Sequence, residues 1–299
     1  MQRIYFIIAG VCYKLIQWLR ISNKINSTDI AVFANDDLGL RISCLGEFEA
    51  DILTFLRQNI ADKMHTKTLL DVGANIGNHT YGLNDYFAEC HVFEADPRTY
   101  NLLCANMADM KNVICHQLAI SNANGTASFS SDRINTGRSH IIPQQDQFGA
   151  SNDHNDGDNE ALTFEVETKK LDDAQLGDRE IGLLKIDVEG HELQVLEGAA
   201  YLLRRQKPVV LIELLETDII NGRAASLDYL FNVGYGRFQS IETPTMRIAA
   251  LNNFPLLRWI NHIIHALEVI LIGQRSAKAV DIDITNLTAK NYDAVLARE

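Results

Sequence analysis

The stretch LLDVGANIGNHT, Leu69 to Thr80, combines a short apolar run with an acidic strand end and two glycines. The apolar run predicts a buried strand that ends near Asp71 and turns directly into a helix. Gly73 can adopt backbone angles that other residues avoid, and Gly77 allows the start of the helix to approach a ligand or a neighbouring strand closely. Asp71 can order the turn or accept hydrogen bonds from an amine. The pattern predicts a ligand-binding turn at a strand end.

Strands and helices alternate on both sides of this turn. Further strands are predicted by AECHVFEAD, NVICHQLAIS, IGLLKIDVE and PVVLIELLE. Helices are predicted for residues 48–64, for PRTYNLLCANMADM, which has Pro97 at its start, and for HELQVLEGAAYLLRRQ. Tyr292 to Ala297 is expected to be a last strand. Because the strands are almost continuously apolar, the alternation predicts an α/β fold with a parallel sheet covered on both faces.

Charge and cysteine content exclude several classes of protein. The 299 residues carry a formal net charge of -12, which argues against a nucleic-acid partner because phosphate binding relies on clustered Lys and Arg. The 5 cysteines include no C-x-x-C pair, so neither a disulfide framework nor a zinc site is indicated. The chain is therefore expected to be a reduced, cytoplasmic protein.

Two apolar segments lie outside the alternating core. The uncharged run from Ile4 to Tyr13 is shorter than the about 20 residues of a membrane-spanning helix, and no small-x-small cleavage site follows it. Residues 255–273 predict an amphipathic helix with a strongly apolar face. We expect these segments to pack on the protein, to associate peripherally with the inner face of a membrane, or to form a homodimer interface.

No repeat or flexible linker divides the chain, so one catalytic domain with additions is expected. Residues 1–44 are assigned to an N-terminal apolar helix and lead-in, and residues 45–299 to the domain. An insertion at about 121–180 contains two short antiparallel strands, ASFSS and FEVETKKL, and the acidic loop 151–160. A second insertion at about 250–280 contains the amphipathic helix.

A second carboxylate narrows the choice of ligand. Glu94 ends the strand after the turn, the usual place of an acid that binds both hydroxyls of an adenosine ribose. The pyrophosphate of a nicotinamide cofactor is bound by G-x-G-x-x-G, and GANIG lacks the middle glycine. A ligand with adenosine and without pyrophosphate is therefore favoured, and S-adenosylmethionine is the common one. A Rossmann-type NAD(P)-dependent oxidoreductase is the alternative.

Several motifs follow one another in a defined order: LLDVGANIGNHT, VFEADPRTYNLLCANM, HQLAIS, LDD, LLKIDVEGHELQVLEGA and VVLIELLE. In this order and spacing the chain resembles the FkbM-type methyltransferase family over roughly residues 45–245 and the final strand. The resemblance implies a Rossmann-like class I fold, with a mostly parallel seven-stranded sheet, helices on both faces and an antiparallel last strand. It also implies S-adenosylmethionine as cofactor and methyl transfer to a hydroxyl of a saccharide, glycolipid or polyketide-like acceptor, as in polysaccharide biosynthesis.

The resemblance also assigns site residues. The cofactor-binding set comprises Asp71, Gly73, Ala74, Asn75 and Gly77 in the turn, Glu94 on the ribose, and Gln117 beside the adenine, where the family often has asparagine. Asp187 and Glu189 are placed at the end of the fourth strand, facing the methyl group. Methyl transfer to an alcohol needs a base for the hydroxyl proton, and Asp187, Glu189 and His191 are the candidates.

Other roles have more than one interpretation. Asp187, Glu189 and Glu213 could converge on a divalent metal such as Mg²⁺, although no metal is predicted. Arg138 or His140 could contact the acceptor or belong to a plain loop. N-methylation of nucleic acid is disfavoured by the charge and by the absence of an N-P-P-Y-like tetrapeptide. A non-catalytic scaffold with the methyltransferase fold is a further alternative, and the intact carboxylates weigh against it.

Overall fold

A computed structural model of the chain describes residues 10, 14, 29–34, 36–132, 136, 139–142, 162–242, 276–290 and 292–299. The predicted acidic loop 151–160, the predicted helix 255–273 and Arg138 lie outside the described residues, as does the N-terminal apolar run apart from Gly10. Within the described part of the chain, no helix has both the length and the apolar character needed to cross a membrane.

Helices and strands alternate along the described chain as the apolar pattern predicts. The helices are α1 (Asp37–Leu45), α2 (Ala50–Asn59), α3 (Asn78–Leu83), α4 (Pro97–Met107), α5 (Glu192–Gly198), α6 (Ala200–Gln206) and α7 (Ala225–Asn232). The strands are β1 (Thr68–Val72), β2 (Glu89–Glu94), β3 (Val113–Gln117), β4 (Ala119–Ile120), β5 (Gly125–Ser131), β6 (His140–Ile141), β7 (Leu162–Lys169), β8 (Ile181–Ile186), β9 (Val209–Leu214), β10 (Ile219–Ile220), β11 (Arg223–Ala224), β12 (Arg237–Glu242), β13 (Lys278–Asp281) and β14 (Tyr292–Arg298).

The main sheet has the strand order β13-β12-β14-β9-β8-β1-β2-β3. The strands from β9 to β3 in this order run parallel, and β14 lies antiparallel to both of its neighbours, β9 and β12. From β1 the chain first builds the sheet towards β3 and later returns to build it towards β9, which is the reversal found in Rossmann-like sheets. The Rossmann-like class and the antiparallel last strand are therefore confirmed.

Among the residues that the structure describes, the main sheet has 8 strands rather than the predicted seven. The additional strand is β13, which pairs antiparallel with β12 at the sheet edge, from Glu242 opposite Lys278 to Gln239 opposite Asp281. Its sequence KAVD is mostly exposed and carries almost no apolar pattern, so the sequence does not reveal it. This strand begins near the end of the region at about 250–280 that the sequence assigns to a helical insertion.

The other insertion forms a second sheet, with the order β4-β7-β5-β6. The antiparallel pair predicted there is confirmed, because β5 pairs with β7 from Gly125 opposite Thr168 to Ser131 opposite Leu162. The short strand β4 pairs with β7 and directly follows β3, with Leu118 between them. The second sheet is thereby attached next to the carboxyl end of β3.

Helices cover both faces of the main sheet because the side chains of a buried strand alternate between its faces. Leu70 of β1 belongs to an apolar cluster with residues of α5, α6 and α7. The preceding Leu69 belongs to a separate cluster with residues of α2. Both clusters are composed of fully or largely buried side chains. The two-sided covering that the sequence predicts is therefore confirmed.

Backbone hydrogen bonds bring the carboxyl ends of β1, β2 and β8 together. The N–H groups of Gly73 and Ala74 both donate to the backbone oxygen of Phe93 at 3.0 Å. The N–H of Asp187 donates to the backbone oxygen of Val72 at 3.0 Å. The turn after β1 and the acidic segment after β8 therefore share one edge of the sheet, where ligands bind in folds of this kind.

Candidate functional site

A cavity of about 490 Å³ lies at this edge of the sheet. Small-molecule sites typically measure about 300–1,000 Å³. Its walls come from the turn after β1, the ends of β2, β8 and β9, the second sheet, and residues 29–34 and 36–49, which we call the lead-in segment. The predicted site residues that line it are Gly73, Ala74, Asn75, Glu94, Asp187, Glu189 and His191.

The turn after β1 requires glycine at two positions for different reasons. Gly73 has a φ of +77°, and a Cβ atom there would lie 1.8 Å from the backbone oxygen of Asp187. Gly77 has a φ of +92°, and a Cβ atom there would lie 2.4 Å from the Cε atom of Met107. The first glycine therefore allows β1 to approach β8, and the second allows α3 to approach α4.

Glu94 lines the cavity from the end of β2, and its carboxylate is oriented by backbone groups. The N–H of Asn75 donates to Oε2 at 2.9 Å, and the N–H of Asp96 donates to Oε1 at 2.8 Å. Burial raises the pKa of Glu94 to about 7, the Asp96 carboxylate adds to the rise, and the two backbone hydrogen bonds and Lys185 oppose it. Glu94 therefore titrates near neutral pH while facing the predicted ribose position.

A buried cation, Lys185, lies beneath the cavity, and sequence reasoning missed its role. Its Nζ atom lies 3.2 Å from Asp71 Oδ1 and 3.2 Å from Asp187 Oδ2, and donates to the backbone oxygen of Gly73 at 3.1 Å. Burial opposes the charged form, but Asp187 and Asp71 outweigh that effect and raise the pKa of Lys185. The available signal was a single lysine inside the fully buried strand IGLLKI.

Asp71 contacts residues of α3 and β8 beside the turn after β1 and is itself fully buried. Its Oδ2 atom accepts a hydrogen bond from Thr80 Oγ1 at 2.7 Å, and its Oδ1 atom pairs with Lys185. Asp71 is fully buried, and it is not among the described residues that line the cavity. Of the two roles considered for Asp71, these contacts support ordering of the turn. Direct contact of Asp71 with a cofactor stays a prediction.

Asp187 and Glu213 form a hydrogen-bonded carboxyl pair where β8 and β9 end. Burial raises the pKa of Glu213, and the charges of Asp187, Glu189 and Glu49 raise it further. Burial also disfavours charge on Asp187, but Lys185 and the hydrogen bond with Glu213 outweigh this and lower the pKa of Asp187. These opposite shifts favour the proton on Glu213 and the negative charge on Asp187.

His191 and Glu189 lie in the turn between β8 and α5. The Nε2 atom of His191 lies 2.9 Å from Ser121 Oγ, and burial lowers the pKa of His191 to about 4. Glu189 has a φ of +53° and is followed by Gly190 with a φ of +94°. The N–H of Gly190 donates to Glu192 Oε1 at 3.1 Å, which stabilises this turn. His191 is thus neutral at pH 7, and Glu189 adopts a left-handed conformation that is uncommon away from functional sites.

A second polar pair in the cavity wall, His79 with Glu49, is absent from the sequence prediction. The Nε2 atom of His79, in α3, lies 3.1 Å from Glu49 Oε2, in the lead-in segment. Both residues line the cavity on the side of the Asp187 and Glu213 pair. The position of His79 directly after the glycine turn was a usable signal. Glu49 lies outside every motif and offers none.

The remaining predicted positions lie at or beyond the margin of the cavity. Gln117 is the exposed last residue of β3 and is not among the described lining residues, whereas its neighbours Leu118 and Ala119 are. His140 is an exposed residue of β6, between the lining residues Ser139 and Ile141. In the described ranges, no group of three or more His, Cys, Asp or Glu side chains has an arrangement suited to a metal ion. A role of Gln117 at the adenine stays a prediction.

The chain is 27% identical over 181 residues to the methyltransferase sdnD of Sordaria araneosa, a match that covers 50% of this chain and 66% of that protein. Among solved structures, the FkbM methyltransferase of Methylobacillus flagellatus KT is 13% identical to this chain, with a TM-score of 0.39. The match covers 87% of this chain and 52% of that chain. The TYW2 structure of M. jannaschii in complex with AdoMet is 15% identical, with a TM-score of 0.36, 67% of this chain covered and 71% of that chain.

The family model described as the methyltransferase FkbM domain matches residues 71–235. The matched region begins at Asp71, includes both Glu94 and Asp187, and covers more than half of the chain. The protein is a member of the FkbM methyltransferase family.

Proposed function

We propose that the protein is an S-adenosylmethionine-dependent O-methyltransferase that acts on a hydroxyl of a saccharide, glycolipid or polyketide-like acceptor. The observation that carries the proposal is one cavity lined by Glu94 at the end of β2 and by Asp187 at the end of β8. An adenosine cofactor needs an acid for its ribose, and transfer to an alcohol needs a proton acceptor near the methyl group. The cavity contains both groups.

The cofactor side of the cavity fits adenosine. Gly73 and Ala74 leave room next to the strand ends, and Glu94 faces that space with a carboxylate already fixed by the N–H of Asn75. Phe93 and Leu118 provide apolar walls. A ribose diol can donate two hydrogen bonds to such a carboxylate, and an adenine ring can pack between apolar side chains.

The acceptor side of the cavity supports proton removal during methyl transfer. When bound, S-adenosylmethionine supplies an electrophilic methyl carbon on a sulfonium. Lys185 and the protonated Glu213 keep Asp187 ionised and fixed in position, so that it can accept the proton of an acceptor hydroxyl. Glu189, Glu49 and the His79 imidazole provide further groups for hydrogen bonds with a polyol. His191 is bonded to Ser121 and suits a structural role better than that of the base.

Two experiments distinguish this function from its alternatives. Calorimetry with S-adenosylmethionine and with NAD⁺ is expected to show binding of the former only; the opposite result would refute the proposal in favour of an oxidoreductase.

Transfer of a tritium-labelled methyl group to a panel of methyl glycosides, glycolipid vesicles and hydroxylated lactones is then expected to give an alkali-stable ether. Label found only in an alkali-labile ester would refute hydroxyl methylation. Cofactor binding without transfer to any acceptor would favour a non-catalytic scaffold.

Cofactor affinity is expected to increase about tenfold between pH 6 and pH 8. Glu94 has a pKa of about 7 before ligand binds, so raising the pH converts it to the ionised form. That form accepts both ribose hydroxyls, which means that binding lowers the pKa of Glu94 and releases a proton near neutral pH. Calorimetry in phosphate and in Tris buffer measures the proton released. Glu94→Gln is expected to bind the cofactor weakly at every pH. If its affinity still increased tenfold between pH 6 and pH 8, Glu94 would be excluded as the group that causes the pH dependence.

Asp187→Asn is expected to lower kcat by about 10²- to 10⁴-fold while the affinity for S-adenosylmethionine changes little. Asparagine keeps the shape of Asp187 but cannot take up the hydroxyl proton at neutral pH. Turnover and calorimetry on the same preparation separate the two effects. Glu180→Gln serves as a control, since Glu180 is an exposed acid just before the opposite end of β8. Undiminished turnover in Asp187→Asn would show that another group is the base.

A further inference from the structure

The lead-in segment lies outside the region matched by the family model, which begins at residue 71, yet it forms a wall of the cavity. Leu38, Arg41, Phe48 and Glu49 are the lining residues that it contributes. Arg41 and Phe48 lie on opposite sides of the division at residue 44 that the sequence suggests, and the Arg41 guanidinium lies 5.5 Å from the centre of the Phe48 ring. The segment therefore belongs physically to the site.

Two asparagines, one at the start of α3 and one in α4, bond to the backbone of this segment. The side-chain amide of Asn78 accepts a hydrogen bond from Phe48 N–H at 3.1 Å and donates to the Phe48 backbone oxygen at 3.0 Å. The side-chain amide of Asn106, in α4, accepts a hydrogen bond from the Ala31 N–H and donates to the Ala31 backbone oxygen. It also donates to the Ile76 backbone oxygen at 2.8 Å. These contacts fasten the lead-in segment along the turn and the start of α3.

A chain of hydrogen bonds leads from the lead-in segment to Glu94. Asp36 is 2% exposed, and its carboxylate accepts from the N–H of Thr136 at 3.2 Å and lies 3.2 Å from the Thr136 hydroxyl. The single proton of this hydroxyl is within reach of two acceptors, Asp36 and the Oδ1 atom of Asn75 at 3.3 Å. Asn75 Oδ1 also accepts from the Ile76 N–H at 2.8 Å. The N–H of Asn75 in turn donates to Glu94.

The backbone of Asn75 is also unusual. Its φ is +51°, a left-handed conformation that is uncommon for residues other than glycine, although asparagine tolerates it better than most. In that conformation its N–H points at the carboxylate of Glu94. The side-chain contacts of Asn75 with Thr136 and with its own turn hold the conformation from the other side. A buried carboxylate such as Asp36 is costly to leave without partners, so its bonds to Thr136 are strongly favoured.

We propose that Asp36 is a positioning residue of the methyl-donor site, which acts through Thr136 to hold Asn75 and thereby Glu94 in the geometry that binds the ribose. This inference rests on the proposed function, because it takes S-adenosylmethionine to be the ligand of the turn. It extends the site beyond the segment that defines the family, to residues 29–49. Cofactor binding then depends on a part of the chain that carries none of the family motifs.

The test uses the full chain and S-adenosylhomocysteine as the probe, measured by calorimetry and thermal unfolding. Asp36→Ala and Thr136→Val are each expected to weaken binding about tenfold. Because both substitutions break the same chain of contacts, the double variant is expected to bind no more weakly than the weaker of the two single variants. Thr136→Ser retains the hydroxyl and is expected to bind like the wild type. Asp109→Ala, which alters an exposed acid after α4, is the matched control.

The pH dependence of binding separates positioning from general destabilisation. A loosened Asn75 no longer donates firmly to Glu94, so the midpoint of the pH dependence is expected to rise in Asp36→Ala and Thr136→Val. The charged groups facing Glu94, Asp96 and Lys185, are unchanged in these variants. Variants that unfold at a lower temperature but keep the wild-type affinity for the probe and the wild-type pH midpoint would overturn this inference. They would leave the proposed function intact. A wild-type protein that does not bind the probe would overturn the proposed function and the inference with it.

Discussion

Lys185→Met is expected to lower the free energy of unfolding by about 3–5 kcal/mol, the typical cost of breaking a buried ion pair by removing one partner. Lys185 is 5% exposed, and its ammonium group pairs with both Asp71 and Asp187. Methionine fills a similar space without charge, so the variant removes the electrostatic contact and largely retains the packing. Asp71, which is fully buried, is then left without a countercharge. Urea unfolding followed by circular dichroism measures the loss.

Two variants establish whether the loss comes from the buried charges. Lys67→Met removes a surface pair with Glu180, whose 2.6 Å contact joins side chains that are 30% and 59% exposed. Such a pair contributes about 1 kcal/mol or less. Adding Asp71→Asn to Lys185→Met removes one unpaired charge and is expected to restore part of the stability. Equal losses in both lysine variants would contradict a special role for the buried cation.

Gly73→Ala is expected to destabilise the protein by about 3 kcal/mol or more and to abolish binding of S-adenosylmethionine. The added methyl group would lie 1.8 Å from a backbone oxygen of Asp187, and a backbone atom cannot move aside as a side chain can. The strained φ of +77° adds a further cost for any residue with a Cβ atom. Either β1 separates from β8 or the turn changes conformation, and both outcomes displace the cofactor turn. Calorimetry and urea unfolding test both effects.

Other glycines provide graded comparisons for this variant. Gly236→Ala is expected to change the stability by about 0.5 kcal/mol or less, because no atom lies within 4 Å of the new methyl group and the residue is exposed. Gly77→Ala is expected to be intermediate, since its closest contact is the flexible end of Met107 while its φ is +92°. Wild-type cofactor binding by Gly73→Ala would show that the close approach of the two strands is dispensable.

The parts of the fold that the sequence predicts are those with a strong local signal. The strands β1 and β8 are buried along their whole length, so their apolar runs are visible without knowledge of the partners. Strand β13 is recognised only through its pairing with β12, because an exposed edge strand needs no apolar pattern. Glu94 lines the cavity, and its position there follows from its place at the end of a strand. This rule depends on topology and not on packing.

The site residues that the sequence does not predict depend on contacts between distant segments. Lys185 is stable in the interior only because β1 and the turn after β8 bring Asp71 and Asp187 to it. Glu49 is brought to the cavity wall together with His79, and no local sequence pattern predicts that these two residues form a pair. The structure also bears on the candidate bases, since the burial of His191 and its bond with Ser121 are not visible in the sequence.

The position of β14 has a consequence for how the protein forms in the cell. This strand, made after all the others described, lies between β9 and β12 and pairs with both. Until residues 292–298 leave the ribosome, β9 has an open edge and β12 and β13 have no connection to the parallel strands. The pairing of β12 and β13 with the parallel strands therefore has to wait for β14, and until then the unpaired edge of β9 is open to other strands.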